Sequence, residues 1–207
     1  MGLNFDHLEN QVRTYAPSDS AVFWKTREKF GGLSNMAAGF PLLVNGVKIR
    51  TSEALYQAMR FPTRPDVQEL ILGEISPMTA KMRSKPFREF TRDDWSSVRV
   101  PIMRWCLRLK LYQNWEKFGH ALRETGSLPI VEKKTKHADF WGAKYVEPDE
   151  LIGPNILGRL LMELRDDLEQ MPSPPEHLAP LNLKQFLLLG REIEAVRIVQ
   201  SPVSILF

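Results

Sequence analysis

A carboxylate lies where it could do chemistry in the stretch TSEALYQAMRF, residues 51–61. Glu53 follows two residues that commonly cap helices, and Leu55, Ala58 and Met59 then form an apolar stripe at helical spacing. The helix dipole alone favours an acidic residue in a first turn. The same position would also hold a general acid or base at the mouth of a pocket. The sequence leaves both interpretations of Glu53 open.

Two further stretches place polar side chains beside glycines. GGLSNMAAGFP sets Ser34 and Asn35 after a glycine pair, and HADFWGAKY sets Asp139 beside Trp141 and Gly142. Glycine lets the backbone approach a ligand closely, so both loops are candidates for a binding site. The alternative for Trp141 is a place in the hydrophobic core, since tryptophan is highly buried on average.

A third candidate is the stretch IGPNILGRLL, where Asn155 precedes the strongest amphipathic pattern of the chain. Gly153 and Gly158 flank this predicted helix start. The N–H groups at the N-terminus of a helix bind phosphate readily. Asn155 is also an ordinary N-cap residue, and that simpler role remains open.

The common catalytic and cofactor motifs are missing from the sequence. It has neither GxGxxG nor GxxxxGK[ST], the two frequent nucleotide fingerprints, and it has no GxSxG elbow. The four histidines show no metal-binding spacing, and the single cysteine, Cys106, excludes an internal disulfide. We therefore expect no metal and no cofactor, and a buried structural role for the Cys106 thiol.

The elements that must position these residues are mostly helices. Asn45-Gly46 lies between two strand-like runs and predicts a β-hairpin with a type I′ turn, and LPIVEKK predicts a further strand. The remaining signals are the starts and ends of helices. Helix starts are predicted at Thr51 or Ser52, Asp66, Ser76-Pro77, Pro101 and Asn155, and a helix end at Gly126. This balance predicts an α+β or mainly α fold.

We interpret residues 1–20 as an N-terminal extension and residues 21–170 as the main domain. Residues 171–207 begin with a proline-rich linker, PSPPEHLAP, and continue as an apolar tail that packs on the domain or on a partner. No apolar run reaches transmembrane length and the N-terminus has no secretory signal, so we expect a cytoplasmic protein without membrane contact. The net charge of +3 permits a polyanionic partner without requiring one.

Seven stretches, taken in order, resemble the successive motifs of the NADAR (YbiA-like) family. They are GGLSNMAAGFP, TSEALYQAMRF, SPMTAKMRS, RDDWSSVRVPIMRWCLRLKLYQN, PIVEKK, DFWG and GPNILGRLLMELR. The likeness runs over residues 23–168. It implies a compact, mainly α (α+β) fold with a small β-hairpin or sheet, and an enzyme that cleaves an N-glycosidic bond to ribose.

Two activities are associated with the family. YbiA-like members hydrolyse the ribosyl N-glycosidic bond of phosphorylated riboflavin intermediates. Others remove ADP-ribose from guanine bases of DNA, some as the antitoxin of a DNA ADP-ribosyltransferase toxin. The sequence FWK, which contains Lys25, resembles the second branch. It makes ADP-ribosyl-guanine hydrolysis the expected function, with ADP-ribosylated nucleic acid or ADP-ribose and a cognate toxin as partners. Riboflavin-type hydrolysis and non-catalytic sequestration of a toxin are the alternatives.

The resemblance also assigns the site residues. The catalytic set is Glu53, Lys25 and Asp139. The substrate-binding set is Ser34, Asn35, Trp95, Trp141, Gly142, Asn155, Leu157 and Gly158. Glu53 is expected to work as a general acid or base, and Lys25 either orients it or captures the ring-opened ribose as a Schiff base. Asp139 orients Lys25 or binds ribose hydroxyls, the tryptophans stack on base or sugar, and the helix start at Asn155 holds phosphate. A surface lysine is the alternative for Lys25.

Overall fold

The computed structural model describes residues 11–135 and 140–199, and the chain divides into two compact units. Unit one is built from the chain up to Ala37 and from Glu116–Pro172, and unit two from Ala38–Trp115 and the chain from Ser173 onward. Each unit therefore combines two separate stretches of sequence. None of the helices in the described part of the chain has the length and apolar character needed to cross a membrane.

Short strands alternate with helices along the chain. The strands are β1 (Arg13–Tyr15), β2 (Ala21–Phe23), β3 (Leu42–Val44), β4 (Val47–Ile49), β5 (Ile130–Lys134), β6 (Ala143–Val146), β7 (Glu150–Gly153), β8 (His177–Leu178), β9 (Leu187–Leu188), β10 (Arg191–Glu192) and β11 (Val196–Arg197). The α-helices are α1 (Ser52–Ala58), α2 (Pro65–Leu72), α3 (Pro77–Arg83), α4 (Trp95–Gln113), α5 (Trp115–Arg123) and α6 (Ile156–Gln170). Three 3₁₀ helices cover Pro17–Asp19, Gly31–Leu33 and Lys85–Phe90.

Unit one is organised around a five-stranded mixed sheet in the order β1-β7-β6-β5-β2. β5 pairs in parallel with β2 and β6, whereas β7 pairs antiparallel with β6 and β1. Tyr15, Val131, Ala143 and Leu151 form a buried cluster on the sheet. β1 lies within the predicted N-terminal extension, so that segment contributes an edge strand to the sheet.

The long helix α6 packs against β5 in unit one. The predicted apolar stripe is its buried face: Ile156, Leu157, Leu160, Leu161, Leu164 and Leu168. Arg165 interrupts this face with a charge, but its Nη1 donates to the Thr125 hydroxyl and to the Leu128 carbonyl, each at 2.8 Å. These bonds tie α6 to the turn that follows α5.

Unit two begins with the predicted hairpin of β3 and β4. Asn45 and Gly46 have φ values of 49° and 79°, the left-handed conformation that a type I′ turn requires. The hairpin leads directly into α1, which packs against α2, α3 and α4. Every residue of α1 is buried, so the single apolar stripe predicted from residues 51–61 was incomplete.

Helix α4 begins at Trp95 and not at Pro101, where the sequence predicted its start. Pro101 lies in the second turn, since the helix already runs from Trp95 to Pro101 before the proline is reached. Proline lacks the N–H that would bond the carbonyl four residues earlier, yet packing keeps the helix continuous through Gln113. Ile102, Trp105, Cys106 and Leu109 are buried at the predicted spacing.

The C-terminal segment, residues 173–199, is held by hydrogen bonds within unit two. The buried side chain of Gln68 donates to the Leu187 carbonyl at 3.0 Å and accepts from the Leu189 N–H at 2.6 Å. Trp105 Nε1 donates to the Ala179 carbonyl at 2.9 Å, and its ring packs edge-on against Phe186. This segment is therefore part of the fold of unit two.

Candidate active site

Glu53 lies in the first turn of α1 with 7 % of its surface exposed. Thr51 caps the helix by accepting from the Ala54 N–H at 3.2 Å, which confirms the predicted start. Gln57, one turn later, donates from Nε2 to Glu53 Oε1 at 2.9 Å. No residue in the described part of the chain donates to Glu53 Oε2, so Oε2 is the oxygen left for a ligand.

The orientation of the Gln57 amide follows from its second neighbour. Arg60 Nη1 lies 3.1 Å from Gln57 Oε1, and a guanidinium only donates hydrogen bonds. The group facing Arg60 must therefore be the amide oxygen, which turns the amide N–H toward Glu53. Ser84 Oγ also lies 3.3 Å from the same oxygen. The buried amide thus couples a carboxylate on one side to a cation on the other.

Aromatic side chains surround this network. The rings of Tyr56 and Trp95 are 5.1 Å apart and tilted by 44°. The Arg60 guanidinium lies 5.5 Å from the centre of the Trp95 ring, and its Nη2 donates to the Thr91 hydroxyl at 3.2 Å. Burial raises the pKa of Tyr56 well above its ordinary value, and the negative charge of Glu53 raises it further. Tyr56 is therefore a neutral hydroxyl at physiological pH.

The sequence analysis predicted Glu53 and Trp95 but missed three residues of the network, Gln57, Arg60 and Tyr56. The signal was present in the spacing, because Glu53 and Gln57 are four residues apart, as are Tyr56 and Arg60. The apolar residues of the same helix form a stronger pattern, which obscures these polar pairs in the sequence.

Ser34 and Asn35 lie in unit one, directly after the 3₁₀ helix Gly31–Leu33. Both side chains are buried, and Ser34 Oγ accepts from the Met36 N–H at 3.2 Å. Gly31 makes this loop possible, since a Cβ there would clash with the backbone of Lys25 and Thr26. Their assignment to substrate binding stays a prediction.

Lys25 lies on the surface of unit one, with 62 % of its side chain exposed. Its Nζ is 4.0 Å from Glu28 Oε1 and 4.3 Å from the centre of the Trp24 ring. Schiff-base chemistry needs a desolvated amine, and this environment is hydrated. The geometry fits the surface-lysine alternative, and a catalytic role for Lys25 remains a prediction.

Trp141 and Gly142 lie directly before β6 in unit one. Trp141 is half-buried and packs edge-on against Phe140 at 4.9 Å. A Cβ on Gly142 would clash with the Glu132 carbonyl, so glycine is needed here for close approach of the strands. The third residue of this motif, Asp139, lies outside the described residues, and its predicted role cannot be placed.

The start of α6 is bonded to β5 within unit one. Asn155 is fully buried with a φ of 49°, and its side chain makes no capping bond. Its amide instead donates to the Ile130 carbonyl at 2.9 Å and accepts from the Glu132 N–H at 3.1 Å. The simple N-cap role predicted for Asn155 was therefore wrong, because the side chain holds β5 to the helix start.

The N–H groups that were expected to hold phosphate are also occupied. Ile156 N–H donates to the Phe140 carbonyl at 3.3 Å, and Leu157 N–H donates to the Trp141 carbonyl at 3.0 Å. A Cβ on Gly158 would clash with the Ile130 carbonyl, so this glycine permits the helix to contact β5. In this conformation the helix start packs and does not present these donors to a ligand.

Unit two also contains a cavity of about 400 Å³. Its lining residues are Pro62, Thr63, Glu89, Phe90, Thr91, Arg92, Asp93, Asp94, Lys184 and Gln185. None of the predicted site residues lines it. Thr91 connects this cavity to the hydrogen-bond network of Glu53, Gln57 and Arg60, since its hydroxyl accepts from Arg60. Within residues 11–135 and 140–199, no group of three histidine, cysteine, aspartate or glutamate side chains could hold a metal ion.

Comparison with known proteins identifies the fold and the family. The profile of the NADAR domain matches residues 22–169. The chain belongs to the NADAR family. The NMR structure of the Escherichia coli protein YbiA is similar, with a TM-score of 0.63 and 33 % identity, over 77 % of this chain and 92 % of YbiA. The predicted family and the α+β fold are therefore confirmed.

Two relatives in sequence carry names that describe an activity or a pathway. N-glycosidase YbiA of Escherichia coli (strain K12) is 34 % identical over 149 residues, which cover 70 % of this chain and 86 % of YbiA. A riboflavin biosynthesis protein of Vibrio vulnificus (strain YJ016) is 33 % identical over 178 residues. That similarity covers 85 % of this chain but only 44 % of the Vibrio protein, so this chain spans less than half of that relative.

Proposed function

We propose that this NADAR protein is an N-glycosidase that hydrolyses the ribosyl N-glycosidic bond of a phosphorylated ribosylamino-pyrimidine, the riboflavin-type substrate. The observation that carries the proposal is the buried Glu53, whose Oε1 is fixed by Gln57 and whose Oε2 accepts no hydrogen bond from the described residues. The names of the two relatives, N-glycosidase and riboflavin biosynthesis protein, support this substrate class.

In the proposed reaction Glu53 Oε2 takes a proton from the attacking water. The water oxygen forms a bond to ribose C1 while the bond from C1 to nitrogen breaks. Glu53 then returns this proton to the departing nitrogen, so the products are a ribose phosphate and a free amine, and the carboxylate is regenerated. Tyr56, which stays neutral, and Trp95 supply an aromatic wall beside the reacting carbon.

The ADP-ribosyl-guanine activity, which the sequence favoured, depended on Lys25. That side chain is exposed and sits beside Glu28, so its geometry adds no support to the likeness of FWK to this branch. The toxin-sequestering alternative depended on a free C-terminal clamp, whereas residues 177–198 make hydrogen bonds within unit two. The riboflavin-type substrate is therefore the better-supported proposal.

A two-substrate assay tests the proposal. Wild-type protein is incubated with the phosphoribosylamino-pyrimidine and, separately, with an oligonucleotide that carries ADP-ribosyl-guanine, and released sugar is measured by mass spectrometry. We expect ribose phosphate from the pyrimidine and little or no ADP-ribose from the oligonucleotide. Release of ADP-ribose alone would assign the protein to the other branch of the family.

A further inference from the structure

In the described part of the chain, some arginines of unit two are paired with a carboxylate, whereas Arg60 is not. Arg64, Arg83 and Arg92 each pair with a carboxylate, at 2.6 Å to Asp66, 2.8 Å to Glu74 and through a close contact to Asp94, respectively. Among the residues that the structure describes, the hydrogen-bond partners of Arg60 are neutral, namely the Gln57 amide and the Thr91 hydroxyl. Within residues 11–135 and 140–199, Arg60 forms no ion pair, although it is only partly exposed.

A second cation is linked to Arg60 through Thr91. The Thr91 hydroxyl accepts from Arg60 at 3.2 Å, and the Thr91 N–H donates to the Arg88 carbonyl at 3.1 Å. Arg88, in the 3₁₀ helix Lys85–Phe90, is exposed and forms no ion pair with any residue that the structure describes. Burial lowers the pKa of Arg60 and the positive charge of Arg88 lowers it further, whereas Tyr56 and the Glu53 carboxylate raise it. Neighbouring positive charges repel each other, and an anion bound by both would offset that repulsion.

The distance from Arg60 to Glu53 suits a phosphorylated sugar. One amide group separates Glu53 Oε1 from Arg60 Nη1, through hydrogen bonds of 2.9 and 3.1 Å. The two atoms therefore lie at most about 8 Å apart, given the size of an amide. In a ribose 5-phosphate unit the reacting C1 and the phosphate lie at opposite ends of the sugar.

We propose that Arg60 and Arg88 together bind the phosphate of the substrate while Glu53 acts at ribose C1. The assignment rests on the proposed function, because it places the phosphate of that substrate. It replaces the start of α6 as the phosphate site, since the Ile156 and Leu157 N–H groups are bonded to backbone carbonyls. Guanidinium groups bind phosphate through paired, charge-assisted hydrogen bonds, and two of them suit a dianion.

Binding of product-like sugars by calorimetry tests the proposal without requiring turnover. The full-length protein is titrated with ribose 5-phosphate, ribose and ADP-ribose. Wild type, Arg60→Gln and Arg88→Gln are compared with the control Arg64→Gln, whose arginine is paired with Asp66. Arg88 has no described side-chain partner, so Arg88→Gln should leave the melting temperature unchanged. Thermal melting identifies any variant that fails to fold.

We expect wild type to bind ribose 5-phosphate at least about tenfold more tightly than ribose, from charge-assisted hydrogen bonds. Arg60→Gln and Arg88→Gln should each lose that preference, whereas Arg64→Gln should keep it. Tighter binding of ADP-ribose than of ribose 5-phosphate, with the same loss in both variants, would support the site and assign it to a diphosphate. Equal binding of ribose and ribose 5-phosphate by wild type, or an unchanged preference in either variant, would overturn the proposal.

The same samples separate this proposal from the proposed function. If both variants lose the phosphate preference but wild type cleaves no phosphoribosylamino-pyrimidine, the phosphate site stands and the proposed reaction fails. If wild type cleaves that substrate while both variants bind ribose 5-phosphate as wild type does, the reaction stands and the phosphate site fails.

Discussion

At the scale of single residues, Gln57 is what makes Glu53 more than a helix-start charge. Its amide is oriented by Arg60, a group that can only donate, and it therefore always presents an N–H to Glu53 Oε1. A catalytic carboxylate has to be held in its productive position before the substrate arrives. Gln57 thus acts through Glu53 and is a positioning residue.

Replacing this amide should lower the rate more than it weakens binding. Gln57→Leu keeps the approximate volume but removes the hydrogen bonds to Glu53, Arg60 and Ser84, so we expect kcat to fall by about tenfold or more with a smaller change in KM. The control is Gln113→Leu, a buried glutamine of unit two that bonds the Leu43 backbone. It should lower the melting temperature and leave kcat of the folded protein unchanged. Equal kcat in the Gln57 variant and wild type would exclude a positioning role.

A second single-residue prediction concerns Lys110 and the pH dependence of the free energy of unfolding. Its side chain is fully buried, with Nζ 4.6 Å from the centre of the Phe40 ring, and burial lowers its pKa well below the ordinary lysine value. The folded protein therefore binds this proton more weakly than the unfolded chain does. Between the lowered pKa and the ordinary value, the unfolded chain holds more protons, so the free energy of unfolding rises with pH.

Lys110→Met should therefore stabilise the protein most at low pH. Relative to wild type, the gain in the free energy of unfolding should shrink as pH rises toward about 10, with a slope of up to about 1.4 kcal/mol per pH unit. Denaturant unfolding at several pH values measures it, with the exposed Lys48→Met as the control. A gain that does not vary between pH 6 and 10 would show that folding does not lower the pKa of Lys110.

At the scale of elements, the contact between α6 and β5 is set by a glycine and an asparagine. Gly158 lets the helix approach the Ile130 carbonyl closely. The side-chain amide of Asn155 donates to the same carbonyl and accepts from the Glu132 N–H. A strongly amphipathic helix would normally leave its first N–H groups for solvent or a ligand. Here Phe140 and Trp141 accept from them instead.

Gly158→Ala should therefore be strongly destabilising, although alanine has the higher helix propensity. The added Cβ would force α6 away from β5, and we expect a loss of about 2 kcal/mol or more in the free energy of unfolding. Gly119→Ala in α5 is the matched control, because its Cβ would meet only side-chain atoms at 3.4 Å or beyond. That change should be neutral or stabilising by up to about 1 kcal/mol. Similar melting temperatures for the two variants would contradict this account of the helix start.

At the scale of the whole chain, the C-terminal segment belongs to unit two in structure although it is distant in sequence. Gln68 bonds the Ala58 carbonyl of α1 and the backbone of Leu187 and Leu189 with one buried amide. Deleting residues 172–207 would therefore expose Trp105 and unpair the Gln68 amide. Such a deletion tests the folding of unit two and not the action of a clamp.

A single substitution gives a cleaner test of this attachment. Gln68→Leu would leave three backbone groups without their partner, and we expect a loss of about 2–4 kcal/mol in the free energy of unfolding. Limited trypsin digestion should then cleave first at Arg191 or Arg197, in the segment that Gln68 holds. Unchanged protection of these two sites would show that the segment is held by its apolar contacts alone.

Local signals were sufficient to predict the hairpin and the capped helix starts. Asn45-Gly46 requires a left-handed turn and Thr51 supplies a cap, so both follow from short-range geometry. The division of the chain into two units was not predictable from the sequence. It depends on contacts between residues far apart in sequence, such as Gln68 and Leu187. Pro101 misled the prediction of α4, because packing outweighed the lost hydrogen bond.

The candidate site was predictable only in part, for the same reason. Glu53 and Trp95 carried a motif, whereas the roles of Gln57 and Arg60 depend on which groups face each other after folding. Asn155 shows the reverse error. Its residue type predicted a helix cap, but the backbone adopts a positive φ and directs the amide to β5.

The most direct test of the whole account is ribose phosphate release from the phosphoribosylamino-pyrimidine by wild type and Glu53→Gln. Glutamine keeps an oxygen that can accept from Gln57, so the variant should fold with an unchanged melting temperature. Removal of a general acid or base predicts a fall in kcat of about 10²-fold or more. Normal turnover by folded Glu53→Gln would contradict the assignment of Glu53 and with it the proposed active site.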